Sequence, residues 1–204
     1  MNYREHPYVS NSDLSNSIAR PVYGDSTKAF AFGTLVHASI LEPHRLSHSD
    51  ETIDGEPAED FQQAHSMMWA FWNNKICAEF HTGCKYEVET FKENTRFEHE
   101  GKKFTMNCKC KYDLWNGEYG GDIKTTSAET DAQFLASVEK FDYARARVFY
   151  SKVSGAKKDL IIGISKKNFK VFLVFMKEGD YLWQTGEKRL GEIAFNYWNK
   201  NLLF

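Results

Sequence analysis

An Asn116-Gly117 dipeptide between two runs of alternating apolar and polar residues constrains this chain more than any other feature. A two-residue hairpin loop needs φ > 0 at both central positions, which Asn-Gly tolerates. Residues 104–115 and 118–125 are therefore expected to pair as an antiparallel ribbon, with Asp113 opposite Gly120 and Asp122 opposite Lys111. Side chains alternate along a strand, so Asp113, Asp122 and Lys124 should project from one face. Two carboxylates about 5 Å apart repel by roughly 3 kcal/mol at an effective dielectric of about 20. Either one is protonated or a cation sits between them. Oxygen donors suit a hard divalent ion, Mg²⁺ or Mn²⁺, which stabilises charge on a phosphoryl centre and acidifies bound water. Lys124 would then orient a nucleophile or neutralise developing charge. The same residues also read as a strand end, an edge cap and a solvated lysine, and the spacing D-x₈-D-x-K does not choose between these readings.

Composition narrows the classes. At 204 residues the chain is most simply one domain over 1–204, large enough to bury roughly 70% of its unfolded surface. A net charge of −2 excludes a polybasic coat, so a nucleic acid would have to be met by a local basic patch or through bound metal. Aromatic residues make up 15%, which predicts a core built largely on Phe, Tyr and Trp. No run approaches the length of a membrane span, and the polar first twenty residues carry no signal-peptide core. A cytoplasmic protein with reduced thiols at Cys77, Cys84, Cys108 and Cys110 is expected. Their C-x₆-C and C-x-C spacings do not match the usual zinc pairs. Cys108 and Cys110 share a strand face with Met106 and Tyr112, which reads as core packing. A thiolate-held cluster is the remote alternative.

Along the chain, Ser10 or Ser12 is expected to cap a short helix reaching about Ala19 and stopped by Pro21. Ser26 caps a stronger helix over 27–41, ended by Pro43, with Phe30, Gly33, Val36/His37 and Ile40/Leu41 on its apolar stripe. Gly33 in mid-helix predicts close backbone approach. His37 on that stripe is either a satisfied core histidine or a metal ligand aimed at the sheet. A polar loop at 44–57 precedes one long aromatic-rich helix over 58–80. A strand over 86–97 carries Glu87 and Glu89, either as a solvated edge or as a further carboxylate for the site, and turns at Glu100-Gly101 into the central ribbon. Helices over 132–138 (capped by Thr130 or Asp131) and 141–153 follow, the second flanked by Arg145 and Arg147. Strands at 159–165 and 169–176 and a helix over 180–200 complete the chain. This order predicts an α/β fold, a mixed central β-sheet flanked by helices on both faces.

These residues carry a family resemblance. Tyr8-Val-Ser-Asn-Ser-Asp-Leu14, Phe32-Gly-Thr-Leu-Val-His37-Ala-Ser-Ile-Leu-Glu-Pro43, Tyr112-Asp113 and Asp122-Ile-Lys-Thr-Thr126 resemble the motifs of the phage and prophage exodeoxyribonuclease VIII (RecE-type) group of PD-(D/E)XK nucleases. Tyr143 to Tyr150 sits where that group has a helix of pattern Tyr-x-x-Gln-x-x-x-Tyr. The resemblance implies a restriction-endonuclease-like fold and a Mg²⁺- or Mn²⁺-dependent exonuclease. Its implied substrate is duplex DNA with a free end, of which one strand is degraded. It further implies a single-strand annealing recombination protein as partner and, since relatives often form rings around DNA, a homo-oligomer.

Carried over, His37, Asp113 and Asp122 become metal ligands, with the Ile123 carbonyl a fourth. Lys124 becomes the residue that positions or activates water, and Thr125, Thr126, Arg145 and Tyr150 hold the DNA strand. Ala146 departs from the pattern, standing where the glutamine is expected. That departure keeps two alternatives in view: a non-catalytic or weakly active DNA-binding protein of the same fold, and an endonuclease with the same metal site. The basic pairs Lys102-Lys103, Lys157-Lys158 and Lys166-Lys167 read mainly as solubilised turns.

Overall fold

Alternating strand sequence in the middle of the chain builds a five-stranded sheet in the order β1-β2-β3-β4-β5. The computed structural model describes residues 2–18, 27–43 and 58–202. The expected helix end near Ala19, the Pro21 stop, the Ser26 cap and the polar loop at 44–57 lie outside the described residues.

β1 (Lys85–His99) and β2 (Lys102–Trp115) form a long antiparallel hairpin. Its two-residue turn, Glu100-Gly101, has φ of 48° and 78°, the backbone a tight hairpin turn requires. β3 (Tyr119–Thr126) runs antiparallel to β2 and parallel to β4 (Lys158–Ser165), which pairs antiparallel with β5 (Val171–Lys177). The parallel β3–β4 pair needs a crossover. It is supplied by two helices, α5 (Asp131–Lys140, capped by Thr130) and α6 (Tyr143–Ser154).

Helices cover both faces of this sheet. α1 (Asn11–Asn16) starts on a capping box in which Ser10 and Asp13 bond each other's backbone N–H groups. It packs with α6 and α7 (Tyr181–Asn201) over Cys108, Cys110, Tyr112, Ile161 and Phe172. On the opposite face α2 (Thr27–Leu41), α3 (Ala58–Asn73) and α4 (Lys75–Thr82) cover Leu114, Ile123, Leu160, Ile162 and Ile164. The mixed α/β sheet with helices on both faces is the architecture the element order predicts.

Three local readings change, and the core-packing reading of the cysteines stands. The helix expected over 58–80 is two helices, because the Asn74 side chain accepts from the N–H groups of Ile76 and Cys77 and starts a new one. The stripe of α2 is altered in part: Val36, Ile40 and Leu41 are buried as expected and Phe32, Leu35 and Ser39 join them, while Phe30 is 74% exposed. A Cβ at Gly33 would meet only Thr125 Oγ1 at 4.0 Å, so close backbone approach does not account for that glycine. Finally, the four cysteines are unpaired, with Cys77 in one core and Cys108 and Cys110 in the other, on opposite sides of the sheet. That separation excludes a shared cluster. Burial pushes the Cys77, Cys108 and Cys110 thiols up to about 12 and Cys84 up to about 11, keeping all four protonated.

Candidate active site

The site lies where β2 and β3 part. The ribbon pairs only through Leu114–Gly121 and Trp115–Gly120, a register two residues from the one expected. Asn116 causes the shift: its Oδ1 accepts from the N–H groups of Glu118 and Tyr119, and its own N–H donates to Tyr119 O. The side chain thus builds a longer loop, in which Gly117 alone has positive φ. Beyond Leu114 strict alternation fails. Tyr112 packs in one core and Leu114 in the other, and Asp113 Oδ2 accepts from Ile123 N–H at 2.7 Å. Asp113, Asp122 and Lys124 therefore do not line one ribbon face as expected. They meet in the mouth of a fork, reached from both sides of the sheet.

From one side α2 delivers His37. Its Nε2 lies 2.8 Å from Ile123 O, and its Nδ1 lies 3.7 Å from Asp113 Oδ2. His37 and Asp113 thus grip the same strand residue, Ile123, by its carbonyl and its N–H respectively. Glu87 completes this side. On β1 it stands between Tyr86 and Val88, which pair with Leu114 and Tyr112, so it faces Asp113 across the strands. It is ion-paired with Lys111. Ligand atoms of His37, Glu87 and Asp113 lie within 4.8 Å of one another, the arrangement among the described residues that could hold a metal ion.

From the other side α6 delivers Arg147 to Asp122. Arg147 Nη1 donates to Asp122 Oδ1 at 2.8 Å, while its Nε and Nη2 donate to Asp159 on β4 at 2.8 and 3.1 Å. Lys124 Nζ stands 2.6 Å from Asp122 Oδ2, a direct ion pair with the buried oxygen. Burial opposes charge on Asp122, but Lys124, Arg147 and His37 outweigh it and hold the carboxyl below its ordinary range. Burial likewise works against charge on Lys124, and Asp122 with Asp113 overcomes it, holding the ammonium's proton more tightly than usual. Lys124 also lies over the Tyr143 ring, 5.5 Å from its centre. A cavity of about 170 Å³ opens here, lined by Asp122, Lys124, Tyr143, Ala146 and Tyr150 among others.

The donor set fits a hard divalent cation. The group gathered within 4.8 Å comprises the His37 imidazole and the Glu87 and Asp113 carboxylates, beside the Ile123 carbonyl; Asp122 stands outside it, ion-paired with Lys124 and Arg147.

The remaining expected contacts sort differently. Thr125 and Thr126 are partly exposed at the end of β3, Thr126 Oγ1 accepting from Ala128 N–H. Tyr150 packs edge-on against Tyr112, and burial drives its phenol well above the ordinary range. Arg145, expected at the DNA strand, is 1% exposed and donates to Asp142, Asn11 and Ser15, tying α1 to α6. Its guanidinium is committed within the chain, whereas the lysines of the basic pairs stay at the surface: Lys157, Lys158 and Lys167 make exposed ion pairs with Glu178, Glu118 and Glu129, and Lys102 lies over Trp198.

In the sequence Glu87 reads two ways, Arg147 only flanks a helix stripe, and Asp159 has no role. Glu87 carried one signal, its place on the strand preceding the ribbon. Arg147 carried another, since it lies four residues after Tyr143 and three before Tyr150 and so shares their helix face.

Comparison with known proteins follows this geometry. No curated protein matches the chain. A solved structure from Eubacterium rectale, described as a "Putative exonuclease", has a TM-score of 0.56 at 17% identity, covering 87% of this chain and 70% of that one. A phage related exonuclease from Haemophilus somnus 129PT has a TM-score of 0.45 at 12% identity, covering 94% of each chain. Residues 12–198 match the model of the family described as a PDDEXK-like domain of unknown function (DUF3799). That span runs from α1 into α7 and takes in His37, Asp113 and Asp122-Ile123-Lys124; the chain belongs to this PDDEXK-like family and has the α/β PD-(D/E)XK fold.

Proposed function

We propose that the protein is a divalent-metal-dependent deoxyribonuclease, acting as an exonuclease on one strand of linear duplex DNA in phage-type recombination. The observation that carries this reading is the convergence of His37 and Asp113 on Ile123 next to the Asp122–Lys124 pair. His37, Asp113, Asp122 and the Ile123 carbonyl are the residues that would hold Mg²⁺ or Mn²⁺, with Glu87 as a further carboxylate. When bound, such an ion supplies Lewis acidity toward a phosphoryl oxygen and acidifies a water.

The chain's own groups do the rest. His37, placed against the Ile123 carbonyl, would help to hold the ion, and Asp113, bonded to the Ile123 N–H, fixes the strand beside it. Lys124 stays charged between Asp122 and Asp113, which suits it to orient a water or a phosphate oxygen rather than to accept a proton. Thr125, Thr126 and Tyr150 border the place where a DNA strand would lie. Arg145 supports that border from behind by holding α1 and α6 together. The domain assignment of 1–204, the annealing protein and the homo-oligomer belong to the same reading.

Ala146 favours a second reading, a DNA-binding protein of weak or no activity, because it lines the cavity where the glutamine of related chains is expected. Digestion of linear and circular duplex DNA with Mn²⁺ separates the readings. Loss of linear DNA only, abolished by Asp122→Ala and reduced at least about 10²-fold by Lys124→Ala, is the expected result. Equal cutting of circles points to an endonuclease. DNA binding without cutting by the wild type would overturn the enzymatic reading.

A further inference from the structure

Arg147 is not among the proposed ligands, yet its charge is enclosed beside them, with its side chain 2% exposed. Three sides of its guanidinium are fixed in one plane by the Asp159 fork and by Asp122 Oδ1. Tyr112 and Tyr150 pack together on one side of it, with ring centres 4.9 and 4.3 Å from the central carbon and 5.1 Å from each other. Tyr112 is fixed in turn by Gly120, where a Cβ would stand 1.9 Å from the Tyr112 ring.

A core built for stability alone has little use for this arrangement. Apolar residues of similar volume commonly do as well as a buried ion pair or better. What the arrangement does accomplish is local to Asp122. One carboxylate oxygen is anchored to Arg147, which leaves the other, Oδ2, turned toward Lys124 at 2.6 Å. A lysine could neutralise Asp159 but could not bridge two carboxylates with a planar fork.

The geometry points to Arg147 as a positioning residue, anchored by Asp159, that sets the Asp122 carboxylate so that Oδ2 alone faces the metal position. This inference rests on the metal-nuclease reading above. It separates Arg147 from a residue that merely neutralises Asp159, because the two roles respond differently when the ion pair is removed as a unit.

The test is Mn²⁺ affinity by titration calorimetry on the full chain, alongside thermal unfolding without metal. Arg147→Met alone leaves Asp159 buried and unpaired and should lower the melting temperature. Arg147→Met combined with Asp159→Leu removes both charges and should recover much of that loss. Mn²⁺ affinity should remain at least about tenfold below wild type in the double variant, in the range typical for losing a group that orients a metal ligand. Arg147→Lys, which keeps the charge but not the bridge, should show a similar loss of affinity with a smaller loss of stability. It decides the question by the same measure if the double variant does not fold. Mn²⁺ binding within about twofold of wild type in either folded variant overturns the role of Arg147 and leaves the nuclease reading standing. Wild-type protein without Mn²⁺ binding that Asp113→Asn abolishes overturns that reading and this inference together.

Discussion

Asp122 and Asp159 share one guanidinium and are both buried, yet their protonation is driven in opposite directions. Asp122 has Lys124 as a second cation, and the two together outweigh burial. Asp159 has Arg147 alone, with Asp122 as a competing like charge, so burial pushes its carboxyl up to about 6. A folded-state pKa above the unfolded value of about 3.9 means that the native state takes up the proton more readily than the unfolded chain. Asp159 therefore contributes stability that is fully present below about pH 4 and lost as pH rises through about 6. Urea midpoints of wild type and Asp159→Asn, compared from pH 4 to 8, should show wild type losing ground to the variant up to about pH 6.5 and a constant difference above. A difference that is flat throughout means that Asp159 is ionised across the range. At this scale the sequence was legible where a residue type is chemically conspicuous. His37, Asp113, Asp122 and Lys124 could be picked out because carboxylates, an imidazole and an ammonium recur in motif positions. Arg147 and Asp159 could not, because their role depends on a parallel β3–β4 register that places Asp159 beside Gly120 and on a helix that returns across the sheet.

At the level of elements, the β2–β3 ribbon pairs in another register than the Asn-Gly dipeptide suggests. The expected pairing set Asp113 against Gly120, whereas the two observed pairs lie two residues from that register and pairing stops at Leu114, beyond which the strand no longer alternates. The cause, the Asn116 side chain taking two backbone N–H groups, depends on a choice between loop types that the dipeptide alone leaves open. The long helix divided at Asn74 for a related reason, since an asparagine inside an apolar pattern caps a new helix only when the chain has room to turn. Gly120 was legible only as a strand glycine; the structure ties it to the ring that covers Arg147. Gly120→Ala should therefore force Tyr112 aside and destabilise the protein by about 1–3 kcal/mol, the usual cost of overpacking a filled core. It should also weaken Mn²⁺ binding, because the shifted ring no longer holds the guanidinium plane. Urea unfolding and calorimetry on the same preparation check both effects. Unchanged stability would mean that the ring yields freely and fixes nothing.

For the whole molecule, the sheet keeps its two cores apart and lets them meet at one opening. α2 approaches from one face, α6 from the other, and β1, β2 and β3 supply the carboxylates between them. Helices on both faces could be foreseen from element order alone, since each apolar stripe must find a covering partner. The fork could not, because it arises where the long β1–β2 hairpin and the parallel β3–β4 pair are joined by a ribbon of two residue pairs. Such a site has a thermodynamic signature. Its proposed ligands lie far apart in sequence, from His37 to Asp122, and only the native state gathers them, so a bound cation stabilises the fold by mass action. At a free Mn²⁺ concentration one hundred times its dissociation constant the gain is about 2.7 kcal/mol. For a chain of this length each kcal/mol raises Tm by roughly 2–4 °C, so Mn²⁺ should raise it by about 5–11 °C over protein in EDTA. The rise should grow with the logarithm of Mn²⁺ concentration and should nearly vanish in Asp113→Asn, whose carboxamide keeps the size of the side chain but lacks its charge. Calorimetric scans of the two proteins across a series of Mn²⁺ concentrations provide the check. An equal rise in Asp113→Asn would place the ion elsewhere on the molecule and remove the fork from consideration as its site.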